Sequence, residues 1–410
     1  MKRILFVLAA LVALAGCKKD PVPGKDIPYE RVAILYSIGR NNLGVDLQED
    51  IYELCDLKNG AYVPDQHSGK ALLVVSHLPQ SPYSYTVLTE PVLIDIHIDQ
   101  TGNVVRDTVF RMSKTSVLTD VQVMQTFFNK IKELYPTEHY GAVMSSHGSG
   151  WLPGPYYSNG QMPVKSFGQE IQDNDPYKNM MELSDLAKGI PYKLDYLLFD
   201  ACLMGNVETT YELRNCADKI GVSATEVLSD GFNYLRLGRK LLGGATASPE
   251  GVCKDYFEQY SSQTGVNRSA CIALVRTSAL DKLASVCKPL FAKYSARLQE
   301  MDPLTVQRFF RYNGKDELTW HGWFYDLEDI IRVAGADASE MSALSTAISD
   351  CIIYKDCTPE FMVSHDGFGW YGFPFEHFCG LGMSIPQFPD ASLKDWYKTL
   401  AWNRATELVK

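Results

Sequence analysis

Three short runs constrain the fold of this 410-residue chain more than any other feature: VAILYSI at 32–38, ALLVV at 71–75 and DYLLF at 195–199. They are apolar almost throughout instead of alternating with polar residues. A strand that is apolar on both sides must be covered on both faces, and a parallel sheet between helix layers meets that need. Such runs predict strands at Arg31–Ile38, Ala71–Ser76, Val92–Ile98, Ala142–Ser146, Leu194–Phe199, Ile220–Ser223 and Cys271–Arg276. Between them, Val121, Met124, Phe127, Phe128, Ile131 and Leu134 recur at helical spacing, as do Val207, Thr210, Tyr211 and Leu213. Strands alternating with amphipathic helices predict an α/β fold layered around a mostly parallel sheet.

The N-terminus bears on compartment. Lys2 and Arg3 precede an unbroken apolar stretch, Ile4 to Ala15, that is too short for a stable membrane span and reads as a secretory signal. Its end, Leu14-Ala15-Gly16-Cys17, resembles the lipobox of bacterial lipoproteins. That implies a signal peptide over 1–16, lipidation at Cys17 and a Pro/Gly-rich tether over 17–28. The expected location is the bacterial cell envelope, lipid-anchored at the outer membrane, on a side the sequence leaves open.

The remaining chain is expected to form one body over 29–390, including a C-terminal extension, followed by a helix over 391–410; a monomer is expected. The formal charge of −10 becomes −12 once Lys2 and Arg3 are removed. An acidic surface argues against nucleic acid and suits cationic peptides, although solubility alone would also explain it. Of ten cysteines, Cys17 is taken by the lipid. The other nine show no C-x-x-C pair and no zinc spacing, so no structural metal is expected and disulfides stay open.

Two strand ends carry reactive side chains. The strand at 142–146 runs into Ser146-His147-Gly148, and the strand at 194–199 runs into Asp200-Ala201-Cys202. In open α/β sheets, ligands bind at the carboxyl ends of the strands. Parallel strands would therefore bring the imidazole and the thiol to one rim. A cysteine attacks as thiolate, and a nearby imidazole takes its proton. The backbone N–H groups of Gly148 and Cys202 are candidates for an oxyanion hole. A helix expected from about Gly205 would favour the thiolate further through its dipole. The longest irregular stretch runs from Leu152 to about Met180, between the two blocks.

SSHGSGW and LLFDACLMGNVETTYEL resemble the two catalytic blocks of the clostripain family of cysteine peptidases, relatives of gingipains, legumains and caspases. The similarity runs from about Arg31 to Tyr234 and more loosely to Pro386. It implies a caspase-like αβα sandwich with His147 and Cys202 as a dyad that cleaves peptides through a thioester. It also implies that Asp200 binds a basic P1 side chain, so that cleavage follows Arg or Lys. Family members are often cut after a basic residue between the two blocks, and Lys165 and Lys178 are the candidates by position. VSATEVLSDGFNY stands where the family has specificity-pocket residues, making Glu226 and Asp230 substrate-binding candidates. No cofactor is expected; calcium would enter by resemblance alone, and no calcium loop is recognisable. The rival reading is a non-catalytic surface lipoprotein that binds peptide or glycan on the same fold.

Overall fold

The computed structural model describes residues 29–153, 166–172, 175–310, 312–313, 323–362 and 370–410. The stretches expected as signal peptide and tether, with Cys17, and also Lys165, lie outside these residues.

Among the described residues, nine strands form one sheet. In chain order they are β1 (Arg31–Ile38), β2 (Lys70–His77), β3 (Val92–Ile98), β4 (Val104–Arg111) and β5 (Tyr140–Ser145). A separate antiparallel pair, β6 (Phe167–Gln172) and β7 (Asp175–Met181), comes next. The sheet continues with β8 (Tyr196–Asp200), β9 (Lys219–Val222), β10 (Cys271–Arg276) and β11 (Ile352–Cys357). Its order is β11-β10-β9-β8-β5-β1-β2-β3-β4. The central five strands, β9 to β2, pair in parallel, and an antiparallel pair closes each edge.

Alternate residues of β1 enter two different cores. Val32, Ile34, Tyr36 and Ile38 face helix α2 (Val121–Leu134), which contributes Phe127, Phe128 and Ile131. Ala33 and Leu35 face the other way, toward Ile51 and Leu54 of helix α1 (Gly44–Cys55). The period-2 side-chain geometry of a strand thus produces both layers of the sandwich from one apolar run. The seven strands read from the sequence all form.

β4 and β11 escape that reading because they are sheet edges, where one side meets solvent and the sequence needs less apolar character (VVRDTVFR, IIYKDC). The stretch from Leu152 to Met180 also differs from expectation. Much of it is the β6–β7 hairpin, held to the body through buried Phe167, Met180 and Met181. The helix expected over 391–410 is broken into two pieces, Ala391–Thr399 and Ala401–Thr406. Leu400 between them is extended, and the Ala401 N–H donates to the Glu212 carboxylate. The C-terminal third packs into the main core, since Phe309, Leu381, Leu393 and Trp402 share one buried cluster with β1. All nine described cysteines are free thiols.

Candidate active site

The parallel register pairs Ser145 of β5 with Asp200 of β8. His147 and Cys202 therefore each lie two residues beyond a matched pair of strand ends, and both line one cavity of about 220 Å³. Its other walls come from the β1–α1 junction (Asn42, Leu43), α1 (Asp46, Leu47, Asp50), the loop after β9 (Glu226, Val227, Leu228, Ser229, Gly231) and Met362.

Cys202 sits on a tight, strained turn. The next residue, Leu203, is buried with φ of +61°, a conformation that costs a non-glycine residue about 1 kcal/mol or more. The turn is stitched to the loop after β9, because the Leu203 N–H donates to Thr225 (2.8 Å) and the Gly205 N–H to Ser223 (2.7 Å). The sulfur itself accepts from the Val227 N–H at 3.3 Å, a contact that stabilises negative charge on it. The helix following the turn runs only from Val207 to Glu212, two residues later than expected. Its Asn206 cap takes the Thr209 N–H, so a six-residue dipole four residues away adds little to the thiolate.

His147 is buried, and burial pushes its pKa down to about 4, so the imidazole is neutral at neutral pH. Its Nε2 lies 2.7 Å from Asn42 Oδ1. That oxygen can only accept, so Nε2 carries the proton and Nδ1 keeps the basic lone pair. Gly148 permits the close approach of the two loops, since a Cβ there would lie 2.5 Å from the Cys202 carbonyl oxygen.

Asp200 is buried in the wall of the same cavity. Its Oδ2 accepts from Tyr234 (2.6 Å) and from the Phe232 N–H (3.2 Å). Gly231, at φ of +57°, packs so tightly on the carboxylate that a Cβ there would fall 2.3 Å from Oδ2. Burial raises the Asp200 pKa despite these donors. Glu226 lines the cavity, whereas the side chain of Asp230 is exposed beside it, near Ser229. Lys178 is in β7, paired with β6, so a peptidase could reach it only after the hairpin opened.

Asn42, Asp50 and Val227 were not singled out by sequence reasoning. Asn42 had a signal, being a polar residue just past the end of a buried strand at the same rim as His147. Asp50 had one too: it shares the buried stripe of α1 with Leu47, Ile51 and Leu54, where an acid is out of place. Among the described residues no group of three His, Cys, Asp or Glu side chains is placed to hold a metal ion.

The model of the clostripain family, Peptidase_C11, matches residues 36–404. Clostripain of Hathewaya histolytica is 26% identical over 150 residues, a match covering 32% of this chain and 26% of that protein. This match thus spans about a quarter of the length of that relative. An inactive zymogen C11 protease from Parabacteroides distasonis superposes with a TM-score of 0.74 at 24% identity, covering 92% of this chain and 97% of its own. A secreted C11 cysteine protease from Bacteroides thetaiotaomicron gives 0.73 at 22% identity, covering 93% and 99%; it has also been solved with an irreversible peptide inhibitor. These structural likenesses establish a shared caspase-like fold. By the family match over residues 36–404, the chain belongs to the clostripain family of cysteine peptidases.

Proposed function

We propose that this protein is a cysteine endopeptidase that cleaves after Arg or Lys. One observation carries the specificity: Asp46, Asp50, Asp200 and Glu226 line the cavity beside Cys202, and none of the described lining residues is a lysine or arginine. A concave site with unbalanced negative charge attracts a cationic side chain.

In the proposed cycle, His147 Nδ1 takes the Cys202 proton and the sulfur attacks the scissile carbonyl. The N–H groups of Gly148 and Cys202 meet the oxyanion. The imidazolium then protonates the leaving amine, and water hydrolyses the thioester. In the resting geometry Asn42 holds Nε2, which leaves Nδ1 as the base, and the Val227 N–H on the sulfur favours the thiolate. We place the activating cut after Lys165 in preference to Lys178, which a strand protects. Past that position, the Gly168 N–H donates to the His147 carbonyl (2.9 Å), which ties the β6–β7 hairpin to the loop after β5. The mature enzyme is taken to be a monomer anchored through lipidated Cys17 in the bacterial cell envelope, at the outer membrane.

Cys202→Ala should abolish hydrolysis of Arg- and Lys-containing peptides while the protein stays folded. Activity retained in that variant would sink the mechanism, whereas a wild-type protein that hydrolyses no such peptide would favour the binding-protein reading. Intact-mass measurement before and after activation locates the cut. In labelled cells, Cys17→Ser should lose the lipid and leave the membrane fraction.

A further inference from the structure

We propose that Cys271 and Cys357 are a thiol pair that oxidises to a cross-strand disulfide, locking the edge strand β11 onto β10. The pairing follows from strand register and is independent of the peptidase reading. The exported location proposed above is a compartment in which disulfides persist.

In the antiparallel ladder, Cys271 of β10 stands directly opposite Cys357 of β11. One position further out, the Thr358 N–H donates to the Ala270 carbonyl at 2.9 Å. Residues 270 and 358 therefore make a hydrogen-bonded pair, and the two cysteines occupy the adjoining non-hydrogen-bonded pair. Opposite residues at such a position have Cα atoms about 4.5 Å apart and the closer side chains. A disulfide spans Cα separations of about 4.4–6.8 Å, so the backbone need move little.

Both side chains also project from the same face. Cys271 and Val275 enter the core shared with Val32 and Ile34, whereas Ile272 and Leu274 enter the opposite one. Cys357 packs against the first of these cores. The two sulfurs sense each other: burial pushes the Cys357 thiol up to about 12, and the neighbouring Cys271 adds to the rise. Cys271 is fully buried, and burial holds its thiol at about 11. Both are therefore protonated at neutral pH, and oxidation is slow, beginning at the half-buried Cys357.

A small disulfide oxidant such as oxidised glutathione completes the chemistry. The Cys357 thiolate attacks one glutathione sulfur, expels the other half as thiolate and becomes a mixed disulfide. The Cys271 thiolate then attacks the Cys357 sulfur and expels the second glutathione. The two cysteine protons pass to the departing glutathione thiolates; two protein thiols are oxidised and one glutathione disulfide is reduced. In the reduced state the Ser223 hydroxyl lies 4.0 Å from the Cys271 sulfur, so that sulfur turns from Ser223 toward β11 as the bond forms. The bond joins positions 86 residues apart, which restricts the unfolded chain, and fastens a strand that has one open edge.

The test uses the full chain carrying Cys202→Ala, so that the proposed nucleophile cannot divert the oxidant. After incubation with oxidised glutathione, free thiols are alkylated and proteolytic peptides are mapped by mass spectrometry. A peptide linking Cys271 to Cys357 is expected, with two fewer alkyl groups per chain and reversal by dithiothreitol. The melting temperature should rise by about 5 °C on oxidation. Cys271→Ser should lose the link and the rise together; Cys357→Ser, at the half-buried edge, serves if that variant does not fold. Failure to form the link, a link from either cysteine to another such as Cys379, or glutathione left on Cys357 overturns the pairing. A link between Cys271 and Cys357 that does not raise the melting temperature overturns the lock.

Discussion

His147 donates from Nε2 to the side-chain oxygen of Asn42, 105 residues earlier in the chain, at 2.7 Å. The bond holds the imidazole in one tautomer and one orientation, with Nδ1 as the available base. It joins the loop after β1 to the loop after β5, two neighbouring parallel strands. In the proposed cycle Asn42 is thus a positioning residue, acting on the reaction through His147.

Asn42→Ala should lower kcat about 3- to 10-fold with KM nearly unchanged, the effect of losing one net hydrogen bond that orients the base. Asn42→Asp should restore much of the rate and displace the acid limb of the pH profile, because a carboxylate stabilises the imidazolium. A merely structural role would leave that limb in place.

Gly148→Ala tests the approach of the two catalytic loops. The added methyl meets the Cys202 carbonyl oxygen at 2.5 Å and the Met204 sulfur at 3.1 Å, so the backbone must shift. We expect a destabilisation of about 1–3 kcal/mol, typical of overpacking. The displacement also separates the proposed base from the proposed nucleophile, and kcat/KM should fall about 100-fold. Chemical denaturation and peptide hydrolysis measure the two effects separately.

The buried histidine makes stability depend on pH. Its folded pKa of about 4 lies below the unfolded value, so the unfolded chain takes up a proton first as pH falls. Stability should therefore decline from about pH 6.5 down to about pH 4, by at most ~3 kcal/mol from this group. His147→Gln should lack that component when the two denaturation profiles are subtracted.

Glu208 gives the opposite slope. It is fully buried in the helix after Cys202, accepts from the Ser384 N–H and the Tyr397 hydroxyl (both 2.8 Å), and burial pushes its pKa up to about 7. Its contribution is complete below about pH 4.5 and is lost as pH rises through about 7, up to ~3 kcal/mol. Glu208→Gln should flatten that fall between pH 5 and 8. Glu208→Ala should lose both bonds to the C-terminal segment, lower stability by about 2–4 kcal/mol and reduce activity with it.

Much of this protein is legible residue by residue. Runs such as VAILYSI report burial on both faces, because a strand sends alternate side chains to opposite sides; the central strands and the sandwich follow from them. His147 and Cys202 stand out because each follows directly on such a run. The edges β4 and β11 do not show, since solvent on one side removes the apolar signal. The β6–β7 hairpin is obscured by its polar, turn-rich composition, although Phe167, Met180 and Met181 bury it.

Which segments are buried and which reactive groups end them can be read from local residue patterns, because burial and turn chemistry are local properties. The tertiary structure alone decided which distant groups meet there. The Ser145–Asp200 register sets His147 and Cys202 at the same height. The β1–α1 junction delivers Asn42 to the imidazole, and the loop after β9 delivers the Val227 N–H to the sulfur. Asp50 turns into the cavity because the apolar stripe of α1 fixes the rotation of that helix. Such contacts depend on strand order and helix rotation, which act across many tens of residues and leave no local pattern.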